Sequence, residues 1–167
     1  MNTATRRTLA ALALVLPTLA LPQTHPAGGH VHPAAGPAQD PAAAADPRRP
    51  VAFPEPLRRH TLANMRDHLL ALGEMQDALA KGEFDRAADV AEQRLGMSSL
   101  KTHGAHEVAR YMPQGMQDAG TAMHRAASQF ATVAKDASVT GDLRPALAAL
   151  ARVNQACVAC HAAYRLN

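Results

Sequence analysis

Between Leu57 and Arg165, apolar residues recur at three- and four-residue spacings in four successive stretches. That period matches the turn of an α-helix and not the two-residue alternation of a strand. The first stretch carries Leu62, Met65, Leu69, Leu72 and Leu79 on one face, with Gln76 in the remaining slot. Gly82 closes it, one residue after Lys81, whose charge suits a helix C-terminus. The second stretch runs from about Glu83 to about Leu100, with Phe84, Ala87, Ala88, Ala91 and Leu95 as its stripe. Small residues there admit a close neighbour. Residues 101–113 form the longest irregular connection, with a short helical turn expected around Ala105–Tyr111.

The third stretch, from about Gln114 to Lys135, carries Met116, Gly120, Met123, Ala127, Phe130 and Ala134. Ser138 to Gly141 reads as a turn, and Asp142 as the N-cap of a fourth helix with Pro145 in its first turn. That helix is expected to reach Arg165, with Leu143, Leu147, Leu150, Cys157, His161 and Tyr164 on one face. Residues are 47% hydrophobic but only 3% aromatic, so the apolar content is largely Ala and Leu, which favours close-packed helices over strands. Four amphipathic helices of roughly 18–25 residues, about 27–38 Å long, predict an all-α, antiparallel four-helix bundle over residues 57–167.

The chain before the bundle divides in two. Residues 1–21 read as a secretory signal: Arg6-Arg7 precede an apolar run from Leu9 to Leu21 that is too short for a bilayer span. Cleavage is expected near Ala20, with an uncleaved anchor as the alternative. Residues 22–56 are rich in Pro, Ala, Gly and His without apolar periodicity, and read as a disordered linker. His25, His30 and His32 within it suit a solvated polar tail better than a selective metal site. A net charge of +3 falls further once Arg6 and Arg7 leave with the signal, and no basic cluster with interleaved aromatics supports nucleic-acid binding.

The chemistry lies at the C-terminal end. Cys157-Val158-Ala159-Cys160-His161 is the Cys-x-x-Cys-His pattern of covalent haem attachment, and its two cysteines are the only ones in the chain. Two thiols at this spacing add to the two vinyl groups of one porphyrin, and the histidine after the second cysteine supplies the proximal iron ligand. A dithiol redox pair or a structural zinc site are the alternatives. The first usually accompanies a βαβ unit, and the second needs about four ligands. Neither surrounding is evident here. One covalent haem c is therefore the expected cofactor, and export matches a bacterial haem-attachment step outside the inner membrane.

The motif near the C-terminus of a four-helix chain, continued as Cys157-x-x-Cys160-His161-x-x-Tyr164-Arg165, resembles the cytochrome c′ / cytochrome c-556 family of bacterial periplasmic cytochromes. The resemblance covers about residues 57–167. It implies that Cys157 and Cys160 hold haem and that His161 is the proximal ligand. It also implies that Tyr164 packs by the haem or against the first helix, and that Arg165 lies one helical turn beyond His161. The alternative for Tyr164 and Arg165 is an ordinary helix end, where Arg suits the helix dipole. The family further implies a distal residue from the first helix: Met in six-coordinate members that carry electrons, an apolar residue in five-coordinate members that bind NO or CO.

Met65 is the candidate distal ligand, early in the first helix on its apolar stripe, although Met is also a common core filler. His68 sits to the side of the stripe drawn through the leucines. Met75 lies far along the helix; Met116, Met123 and His124 belong to the third helix, and His103, His106 and Met112 to the connection. The expectation is a periplasmic electron carrier with His161/Met65 ligation and soluble redox-protein partners. The alternatives are a gas-binding haem protein and a metal-binding module using the His-rich tail. The resemblance also implies homodimers through the first two helices. No arrangement of Ser, His and Asp, phosphate loop or inward carboxylate pair points to an enzyme; Asp67, Glu74 and Asp77 read as a solvated face.

Overall fold

A computed structural model describes residues 46–167; the segment read as a signal and residues 22–45 of the linker lie outside them. The described chain is mostly helical. In order it forms strand β1 (Arg49–Val51), helices α1 (Glu55–Ala80), α2 (Phe84–Arg94), α3 (Ala105–Ala109), α4 (Gln114–Thr140) and α5 (Leu143–Ala163), and strand β2 (Tyr164–Leu166). Helix α4 packs most extensively on α5, and α2 packs on both α4 and α1. Among the described residues no helix is long and apolar enough to cross a membrane.

Local chemistry sets the ends of these helices. Pro54 is extended and Pro56 falls in the first turn of α1, where a missing N–H costs nothing. At its other end the Glu83 N–H reaches the Ala78 carbonyl at 2.9 Å and the Gly82 N–H reaches the Leu79 carbonyl at 3.1 Å. This reversal needs Gly82 at φ +74°, a left-handed conformation that side chains resist. Helix α2 stops at Arg94, earlier than expected, because a single turn of 3₁₀ helix at Met97–Ser99 takes over its last residues. Helix α4 runs past Lys135 to Thr140. The Asp142 side chain caps α5 by accepting the Arg144 N–H at 3.1 Å, and the short helix α3 forms where a turn was expected.

Alanines dominate the core. Ala87, Ala88 and Ala91 of α2 are fully buried, which brings backbones close, while Phe130, Met75 and Leu95 fill the larger gaps. This seam corrects two of the stripes. Leu69 is 70% exposed and Leu147 48% exposed. On α1 the inward line is Thr61, His68, Ala71, Met75 and Ala78, and on α5 it is Ala146, Ala149, Leu150 and Val153. Leu79 and Leu150 of the expected stripes are buried, while Leu69 and Leu147 turn outward, because a close interhelical seam selects small side chains and leaves some larger ones at its edges.

A second correction concerns both ends of the domain. The linker reading does not extend to residue 56, since β1 and the start of α1 fall within it. Likewise, the last helix stops at Ala163 and not at Arg165. Tyr164 turns to φ −130°, ψ 150°, and the chain leaves as β2, parallel to β1, with Arg49 opposite Tyr164 and Val51 opposite Leu166. Val51 is buried, and the Asn167 N–H continues the ladder to its carbonyl at 3.2 Å. Backbone pairing with a buried valine outcompetes another helical turn. Arg165 is thus a strand residue, not one helical turn beyond His161.

Candidate functional site

Helix α1 makes its main backbone contacts with α2, and side chains of α1, the 100–112 connection, α4 and the end of α5 surround a cavity of about 470 Å³. That is a usual size for a cofactor pocket, about 300–1,000 Å³. Cys160 and His161 of α5 form one part of its lining, and Met65 and His68 of α1 another. The helical register of α5 alone puts Cys160 there, since it continues the line of Val153 and Cys157. Cys157 is half-buried and packs on the core beside the cavity without lining it. Both cysteines are free, and burial pushes both thiols up from their ordinary value. A thiol held protonated is a poor redox nucleophile, which weighs against a dithiol exchange pair.

Tyr164 also lines the cavity and fixes a close contact. Its hydroxyl sits so near Gly115, in the first turn of α4, that a Cβ on residue 115 would lie 2.5 Å from the oxygen. Arg48, Arg58 and Arg165 add three guanidinium groups to the lining. Arg48 pairs with Asp46 at 2.7 Å and holds that carboxyl down at about 2, while Arg58 donates to the Asn167 backbone oxygen. Arg165 Nε is buried without a hydrogen-bond partner, 3.6 Å from Asp46.

A group not anticipated from the sequence lies on the same cavity. His68, His103 and His124 are each buried, with ring centres 4.8, 5.5 and 6.1 Å apart. Hydrogen bonds fix two of their tautomers. His124 Nδ1 lies 2.7 Å from the Leu95 carbonyl and so donates to it. Ser99 Oγ donates to the Gly96 carbonyl at 2.7 Å, and therefore accepts from His103 Nδ1 at 3.3 Å. Burial, followed by the neighbouring His103 and His124, pushes His68 down to about 4. Burial also lowers His103 and His124, so all three rings are neutral at pH 7.

His68 Nε2 is buried with no hydrogen-bond partner, as is Thr61 Oγ1 two helical turns before it on the same face. The adjacent Asp67 is held ionised by Arg94, which also reaches Glu74 at 2.8 Å and ties α2 to α1. Of the other residues weighed, Met112, Met116 and Met123 line the cavity, Met75 is in the core and His106 lies outside. The misleading leucine phase hid His68; the alanine line through Ala71 and Ala78 carries the signal that places it inward.

The lining suits a flat, mainly apolar macrocycle bearing carboxylates. It joins the cysteine–histidine segment, several thioethers, a buried histidine whose Nε2 has no partner, and three arginines. Among the described residues, no three His, Cys, Asp or Glu side chains form a metal-binding group by themselves. The chain matches no protein-family model, no curated protein and no solved structure.

Proposed function

We propose that this protein is an exported c-type cytochrome that carries electrons. One observation supports the reading above others: Cys160 and His161 of the attachment motif line the same cavity as the inward side chains of α1. On this reading α1, α2, α4 and α5 act as an antiparallel four-helix bundle. Haem, when bound, supplies a one-electron couple at its iron. Cys157 and Cys160 would hold it through thioethers, and His161 would give the proximal imidazole. Tyr164 would pack at its edge, and Arg48, Arg58 and Arg165 suit its carboxylates by charge and planar geometry. Helix α1 would offer a further iron ligand, since Met65 and His68 both line the cavity.

The site belongs to an electron carrier and not to a gas binder if both faces of the iron are taken. The matured protein is then expected to show a reversible one-electron titration, low-spin spectra in both oxidation states and no rapid CO binding when reduced. High-spin spectra with ready CO or NO binding would overturn the electron-carrier reading in favour of the five-coordinate one. Export to the periplasm, a cleaved signal at residues 1–21, and redox-protein partners form part of the same proposal.

A further inference from the structure

We infer that His68, and not Met65, supplies the sixth ligand to the iron, an inference that rests on the cytochrome reading above. Both side chains line the cavity from α1, three residues apart. They differ in what the fold does with them. Met65 is half-buried, and a thioether among apolar neighbours lacks nothing. His68 is buried, and its Nε2 has no hydrogen-bond partner among the described residues. A buried imidazole nitrogen left unpaired opposes folding, and a metal–nitrogen bond removes that penalty.

The neighbouring rings are tied down by hydrogen bonds, and His68 is not. His103 and His124 have their Nδ1 atoms engaged, by Ser99 and by the Leu95 carbonyl, and form the wall beside His68. No corresponding bond occupies His68 among the described residues. Asp67, its neighbour on α1, is bound to Arg94 and does not compete for the ring.

The test uses the full, matured protein and needs no assay of activity. Electron paramagnetic resonance and near-infrared magnetic circular dichroism distinguish two imidazoles from an imidazole and a thioether. Wild type is expected to show low-spin iron with the bis-imidazole signature. Met65→Leu should leave that signature unchanged. His68→Gln should lose it, passing to high-spin iron or to the methionine band, with a raised potential if Met65 steps in. A methionine band in the wild type that disappears in Met65→Leu would overturn the inference, as would high-spin wild-type iron. Both leave the cytochrome reading standing. A matured protein without haem would overturn the two together. The wild-type spectrum decides the matter even if a variant does not fold.

Discussion

Tyr164 and Gly115 form the tightest contact between the chain end and α4 at the cavity. A methyl group at position 115 would meet the tyrosine hydroxyl at 2.5 Å but its ring carbon only at 3.8 Å. Gly115→Ala alone is therefore expected to displace Tyr164, offsetting the roughly 1 kcal/mol that alanine gains over glycine in a helix. Combined with Tyr164→Phe the same change should stabilise by up to about 1 kcal/mol, measured as the shift in urea midpoint of the double variant against Tyr164→Phe. Equal effects in the two backgrounds would show that the contact does not matter. Single residues were legible where a fixed spacing singles them out, as with Cys160 and His161, which reach the cavity. His68 was not, because its burial depends on which side chains a neighbouring helix admits.

At the level of elements, Asp142 tests whether local capping sets the start of α5. Asp142→Ala removes the acceptor for the Arg144 N–H and should cost about 1 kcal/mol without altering the haem spectrum. An unchanged midpoint would mean that packing against α4 alone holds the helix start. Helix existence was readable from apolar periodicity, and the Asp142 cap and the 105–109 turn from single residues. The strands were not readable. Arg49–Val51 and Tyr164–Leu166 are three residues each, too short for any period, and they pair across more than a hundred residues of sequence. The phase of α1 and α5 was misread for one shared reason: leucines attract attention, whereas alanines line the seam.

Across the whole molecule, three buried neutral histidines make the stability of the haem-free chain depend on pH. Unfolded, each takes up a proton near pH 6.5, whereas His68 in the fold resists until about 4. The unfolded chain therefore binds more protons between those values, so stability is full above about pH 6.5 and falls as the pH drops towards 4. Denaturant midpoints across this range should show it, with a shallower fall in His124→Gln; a flat profile would mean that the rings are solvated. The all-α class was readable from the sequence, since it follows from period and composition. The cavity was only half readable: the α5 lining announces itself in a motif, while the α1 lining and the histidine wall arise from tertiary packing. The mass of the intact protein, purified from a host competent in haem attachment, bears most directly on the whole account. It should be increased by one haem that survives denaturation and is lost in a Cys157→Ala, Cys160→Ala double variant. An unmodified chain, or one carrying only a Cys157–Cys160 disulfide, would contradict it.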